Sequence, residues 1–479
     1  QATYESLSAT EFDDSKTRVS AFVSESQTAL GHSEFLGTGG SLYYLRHRDI
    51  LPGSDKLIIE VRDPRTNRVI ETRPLAREVD YEIDEIQGRV ILSKPLLQVS
   101  QQSAPSLIVD GPLDGNVTVL IADYEYLPDN FDTNNLVGGV RGKQWLGDHI
   151  GIGATYVEEG RDAEDYQLGG VDVTLKAAAD TWMKLEWGSS EATQTERQFS
   201  VDGGLSFNNL SPLTGDDRQG DAYNVDVHIN AGDFGGSERW VTNAWFKEVD
   251  DQYSVARRDD GNNVWEYGAE TQMPLSEDWI IGARASYFEV DTQYDLTELS
   301  LQVQGALSDR GTLSSELKST QENRVGTGSA DALLLGLQYE HKVTKRLDVY
   351  GSGQTTLSTD GNYQNNDQLA VGAKLAFNQD TSGQVEVRNG HRGNGLLGGL
   401  EHRINSRHTI YGTATHSTDN TQDPFARSDN GASMLDNTGT NFAAGHRWAL
   451  NDRANLFSEM QFSQNEDFSG IGEAFGLDY

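Results

Sequence analysis

The side chains best able to do chemistry are scattered along this chain. Its 10 histidines are His32, His47, His149, His228, His341, His391, His402, His408, His416 and His446. None falls in an HExxH zinc-protease pattern, and no GxSxG nucleophile elbow is present. The absence of cysteine excludes a thiol nucleophile, a cysteine zinc site and a disulfide framework. Asp226 and His228 share one side of an extended segment, but residues two apart on a strand merely line the same face. The chain therefore reads as a non-enzyme without a cofactor. Acidic clusters come nearest to a metal site: Asp129-Asn130-Phe131-Asp132, Asp216-Asp217, Asp250-Asp251, Asp259-Asp260 and Thr359-Asp360-Gly361-Asn362. Such oxygen-rich outer loops could hold Ca²⁺, a hard cation, although none has EF-hand spacing. The simpler reading, and the favoured one, is a solvated acidic surface.

A second set of charged residues is regularly spaced. Asp172, Lys176, Lys184, Glu186, Asp226, His228, Glu270, Arg284, Glu316, Lys318, Lys374, Glu386 and Arg388 each sit on the polar side of a segment whose other side is apolar. Trp279, Ile281, Ala283, Ala285 and Tyr287 alternate with Gly282, Arg284 and Ser286. Leu333, Leu335, Leu337 and Tyr339 alternate with Gly336, Gln338 and Glu340. A period of two marks strands. Charges of both signs in mid-strand suit a water-filled lumen, which these residues would line, and the apolar side suits lipid. Trp279 and Tyr287 bracket roughly 20 Å of tilted strand, close to the height of the apolar band of a membrane barrel. Trp187, Tyr223, Trp279, Tyr287, Tyr339, Phe377, Trp448 and Tyr479 are the candidates for its aromatic girdle.

The 479 residues include 74 acids against 38 bases, a net charge of −36. That balance argues against nucleic acid as a partner, since phosphate binding needs a basic face. Mean hydropathy is −0.57, and no run approaches the ~18 apolar residues of a spanning helix. A strand barrel escapes this test, because only alternate residues face lipid. The chain starts at Gln1 without an apolar leader, a start expected of a processed exported chain or of a trimmed one.

From residue 116 onward, short turns alternate with longer polar connections. The alternation predicts an all-β fold: a transmembrane antiparallel β-barrel of about 20 strands (18–22), with both ends on the short-turn side. Ahead of it, short strand-like runs are joined by turns such as Leu51-Pro52-Gly53-Ser54. They predict a β-sandwich-like domain over 41–115, preceded by a polar arm over 1–40, with the barrel at 116–479. Because the barrel's N-terminus falls on the short-turn side, the domain is expected beyond the short turns, in the periplasm. The longest connection, 188–221, carries Asp202, Leu205 and Phe207 in a stretch apolar enough to fold back, either into the lumen as a constriction or over the barrel as an outside cap.

The alternating region resembles Gram-negative outer-membrane β-barrels over about three-quarters of the chain. The segment Gly470 to Tyr479, with Phe475 and Leu477 at alternate positions, is similar to the C-terminal insertion signature of such barrels, and Glu473 departs from it. The run Gly37-Thr38-Gly39-Gly40-Ser41-Leu42-Tyr43-Tyr44-Leu45, then Asp80-Tyr81-Glu82-Ile83-Asp84 and Gly88-Arg89-Val90-Ile91-Leu92, resembles a small β-module that precedes a barrel in large outer-membrane proteins. Plugged transporters of about 22 strands and porins of about 16–18 fit less well. The resemblance implies an outer-membrane location, with lipid and lipopolysaccharide as neighbours. It implies a periplasmic small domain, and a periplasmic or surface protein partner reached through residues 1–115. The function implied is a channel or export conduit, passive or gated by the N-terminal domain or the 188–221 loop. The alternative is a structural platform for an envelope or surface assembly, with its lumen closed.

Overall fold

The computed structural model describes residues 1–479 except 1, 26–27, 64–65, 101–105, 114, 129–135, 161–164, 194–196, 211–217, 256–258, 260, 327, 377, 379, 421–437, 452–453, 465–468 and 479. Among the described residues, the one helical element is a 3-10 turn, Ala231–Phe234, and no helix is long and apolar enough to cross a membrane. The remainder is strand, divided between a 21-stranded antiparallel sheet and two smaller sheets.

The large sheet is a meander. Strand Leu136–Leu146 pairs with Ile150–Glu159, that with Tyr166–Ala178, and so on to Ala454–Gln464 and Ser469–Asp478. Its strands reach 17 residues, as in Gly328–Thr344, far longer than those of most soluble sheets. Alternation divides its faces. Leu299, Leu301, Leu337, Leu369, Val371, Leu400 and Trp448 are exposed on one face. Glu316, Leu334, Ala370, Glu386, Ala443 and Glu459 are buried on the other. An apolar face of that extent has no place in water, so the exposed side is the lipid side of a transmembrane barrel wall.

The small domain has a sandwich core. Strands Ala29–Leu36, Asn116–Tyr126 and Lys56–Arg62 form the centre of a seven-stranded sheet, with Val69–Pro74 at one edge. Leu42–Tyr44, Arg89–Leu92 and Tyr81–Asp84 form a three-stranded one. Phe35, Leu57, Ile59, Leu120 and Tyr124 from the first sheet pack with Tyr43, Tyr81, Val90 and Leu92 from the second. The reverse face of the first sheet buries Leu36, Ile58, Val119, Ile121 and Phe199. Burial on both faces explains why Lys56–Arg62 reads Leu-Ile-Ile-Glu-Val rather than as a clean alternation. The turn after residue 50 has Gly53 at φ 80°, a conformation that favours glycine.

Both boundaries differ from the expected ones. Residues 1–40 are not a separate arm: Ala2–Glu5 and Thr17–Glu25 join the large sheet, Thr17–Glu25 lying against Leu136–Leu146, and Ala29–Leu36 belongs to the small domain. Asn116–Tyr126, expected as the first barrel strand, is the central strand of the domain, hydrogen-bonded on both sides. The domain is thus inserted between two barrel strands rather than placed ahead of the barrel. Glu25 pairs with Leu136, so the chain enters and leaves it at the long-connection end. The reason for expecting it beyond the short turns does not hold.

Candidate functional site

The domain's contacts fall on the inward face of the wall. Ser41 and Leu42 donate backbone N–H bonds to Glu459 at 2.6 and 3.2 Å. Thr413 Oγ1 donates to the Gly39 carbonyl at 2.7 Å, and Arg447 Nη1 to that of Leu92 at 2.9 Å. Arg68 lies 3.3 Å from Glu266 and 3.6 Å over the Trp245 ring. Between the Glu266 and Glu459 strands lie about eleven inter-strand steps of ~4.8 Å, roughly 50 Å of sheet. A domain of about 100 residues has a radius of gyration near ~13 Å. It touches both places only because the sheet curls around it.

The tightest seat holds an extended strap, residues 106–112. Glu316 accepts from Ser106 Oγ and from the Leu107 backbone N–H. Gln354 brackets Val109, accepting its N–H at 3.0 Å and donating to its carbonyl at 2.8 Å. Asn366 and Arg392 donate to the Val109 and Asp110 carbonyls. Ile108 fills an apolar recess beside Ala332, Leu334 and Tyr363. A buried Glu316 or Asn366 would be costly without partners, and the strap backbone supplies them.

A buried ion cluster joins the domain to the long loop. Strand Arg197–Ser200 adds in parallel to Ala29–Leu36. Arg197 Nε and Nη2 donate to Glu34 Oε1 at 2.9 and 2.6 Å, and Arg62 Nη1 donates to Glu34 Oε2 at 2.6 Å. His32 lies between Glu34, at 3.2 Å, and Asp123, at 2.6 Å. Burial pushes the Glu34 pKa up, but Arg197 and Arg62 outweigh it and hold the carboxyl well below its usual range. Burial likewise pushes His32 down, and the carboxylates of Asp123 and Glu34 outweigh it, so its pKa is raised.

Each residue singled out from the sequence can now be placed. Asp172, Lys176, Lys184, Glu186, Asp226, His228, Glu270, Arg284, Glu316, Lys318, Lys374, Glu386 and Arg388 lie on the inward face. Lys184 is opposite Asp226, and Glu270 opposite Arg284. Lys318 pairs with Glu298 at 2.7 Å and Arg388 with Glu386 at 2.9 Å. His228 bonds Asn243 at 2.7 Å and stacks on Trp182. Of the loop residues, Phe207 packs edge-on against Phe35 and Asp202 caps its own turn by accepting the Leu205 and Ser206 N–H groups. Leu205 stays exposed. The loop folds inward, onto the domain.

Trp187, Tyr223 and Tyr287 lie outward toward the long connections, and Trp279, Tyr339 and Trp448 outward toward the short turns. Trp187 is directly opposite Tyr223. Phe377 and Tyr479 lie outside the described residues, as do the 129–132 and 216–217 acidic clusters and Asp260. Asp259 is fully buried in a bidentate pair with Arg218, and Asp360 accepts from the Gly361 N–H. No group of three acidic or histidine ligands converges among the described residues.

Sequence reasoning missed the strap seat and the Glu34 cluster. A signal was present for the cluster: Glu60 and Arg62 share one side of a strand whose run from Leu57 to Val61 is otherwise apolar, where only mutual pairing makes them tolerable.

No family model matches the sequence, and no curated protein matches it. Among solved structures, a bacterial polysaccharide outer membrane secretin matches with 11% identity and a TM-score of 0.27, over 56% of this chain and 84% of that one. An iron transporter from Neisseria meningitidis matches with 12% identity and a TM-score of 0.40, over 69% and 67%. An anion-selective porin from Comamonas acidovorans matches with 11% identity and a TM-score of 0.29, over 81% and 91%.

Proposed function

We propose that this chain is an outer-membrane conduit whose lumen is occupied by its own inserted domain, with passage governed by how firmly that domain is seated. The observation that carries the reading is the set of hydrogen bonds between domain backbone and inward wall residues on well-separated strands, Glu316, Gln354, Thr413 and Glu459 among them. A barrel of this strand number encloses more space than side chains fill, and here a folded domain takes up much of it. The Arg197–Glu34 pair ties the long loop to the same domain, so loop and domain are expected to move as one body. The domain serves as an occluding element rather than as a periplasmic docking module.

The test is conductance in planar bilayers. Removing residues 1–115 would also strip two strands from the wall, so the informative deletion is 29–126, closed by a flexible linker. A second form staples the strap: a Cβ built on Gly336 lies 3.5 Å from Leu107 Cβ, at the edge of the disulfide range of about 3.5–4.5 Å. The chain's lack of native cysteine makes Leu107→Cys with Gly336→Cys an unambiguous pair. Large stable steps are expected from the deletion, and small or absent ones from the full chain with the staple closed. A deletion form that inserts as a folded barrel yet stays silent would overturn the conduit reading in favour of a closed structural platform.

A further inference from the structure

The domain's contacts with the wall run from the Val264–Pro274 strand to the Ala454–Gln464 strand. Inward charged side chains on the wall that grips it are nearly covered: 1% exposed at Glu316, 3% at Glu459 and 11% at Arg388. On the strands from Leu136–Leu146 to Gln219–Asn230 several inward charges stay open, although Asp172 is 5% exposed beneath Arg141 and Lys143. Arg141 is 51% exposed, and Lys184 and Glu186 are both 36% exposed. This second wall is polar at mid-height. Asp172 is held by Arg141 at 2.9 Å and Lys143 at 3.5 Å, Lys184 by Glu186 at 2.6 Å, and Asn224 donates to Asp226 at 2.7 Å.

The outer end of this space has a built stopper. Residues 250–255 dip onto the inward side of the wall. Ser254, fully buried, donates its N–H to Ser190 Oγ at 2.8 Å, and Tyr166 Oη donates to the Ser254 carbonyl at 3.0 Å. Asp259 anchors the same connection through Arg218, with two bonds of 2.8 Å, and accepts from Ser254 Oγ at 2.9 Å. Two inward glycines make the seat. A Cβ at Gly220 would lie 2.2 Å from the Tyr253 nitrogen, and one at Gly188 would lie 3.2 Å from Tyr253 Oη. Both positions are left without side chains where the segment sits.

We infer that the space beside the domain is a separate permeation route for small hydrophilic ions, closed at its outer end by residues 250–255 rather than by the 188–221 loop. The inference rests on the occluded-conduit reading and adds a path that needs no movement of the domain. Paired charges of both signs favour small hydrated ions over bulky or apolar solutes.

The experiment uses the full chain with the Leu107→Cys/Gly336→Cys staple oxidised, and KCl current as the probe. Gly220→Val evicts the stopper by a backbone clash, and Tyr253→Ala loosens it without one. Each should raise the stapled conductance at least several-fold, with cations and anions both carried. Stapled Gly220→Val and Tyr253→Ala chains that insert as folded barrels yet conduct no more than the stapled parent would overturn the side route. If current then appears only on reduction, the route fails while the domain-gated conduit stands. If the domain deletion is silent but the stopper variants conduct, the domain-gated reading fails instead.

Discussion

Replacing Arg197 with leucine should release the long loop from the small domain. The side chain is 5% exposed and gives two N–H bonds, at 2.9 and 2.6 Å, to a fully buried Glu34. Without it, Glu34 keeps Arg62, and Arg62 is already shared with Glu60 at 2.8 Å. Removing one partner of a buried ion pair costs roughly 3–5 kcal/mol, most of it the penalty of the charge left behind. At about 1.4 kcal/mol per factor of ten, loop opening should become roughly 100- to 4,000-fold more frequent. Hydrogen exchange followed by mass spectrometry reads this directly, because backbone N–H groups in Arg197–Ser200 are protected by pairing with Ala29–Leu36. Exchange there should accelerate at least about 100-fold, while Gly328–Thr344, far along the wall, should be unaffected. Adding Glu34→Gln removes the stranded charge and should recover part of the loss. Exchange unchanged within about threefold would refute the claim that this pair holds the loop.

The same cluster sets a pH dependence. His32 has a raised pKa when folded, so its contribution is complete below its ordinary value and is lost as pH rises through the raised one. Thermal melting of the domain should fall on that alkaline side, and His32→Gln should flatten the fall. His47 has its pKa pushed down to about 4 by burial and by Arg46, so the domain should lose stability as pH drops from ~6.5 toward 4, and His47→Phe should remove that loss. On the wall, Leu301→Arg faces lipid and should destabilise the barrel by about 2–4 kcal/mol in refolding titrations. Ser300→Arg, one residue away on the lumen side, should cost far less. Gly204, at φ 96°, would place a Cβ 1.9 Å from the Tyr44 carbonyl oxygen. Gly204→Ala should therefore unseat the 200–207 turn, visible as new proteolysis between residues 197 and 209.

Alternation along the chain sufficed to determine the wall. Side chains on a strand change sides at every residue, so Leu299 and Leu301 against Ser300 and Gln302 already declare a lipid side and a wet side, whatever lies across the lumen. The aromatic positions and the inward charges follow from the same local rule. Local pattern does not say which strand pairs with which. Asn116–Tyr126 is as long as a wall strand, yet it pairs with Ala29–Leu36 and Lys56–Arg62; its continuous run Val119-Leu120-Ile121-Ala122 is buried on both faces of the domain sheet. Thr17–Glu25 reads as part of a polar arm, yet it is a wall strand between Ala2–Glu5 and Leu136–Leu146. Where the domain sits, which loop it captures and which inward charges it covers depend on contacts between residues hundreds of positions apart, such as Ser41 with Glu459 and Leu107 with Glu316. Such contacts leave no spacing in the sequence, since each partner taken alone is an ordinary polar residue on a strand or a turn. Only tertiary packing brings them together.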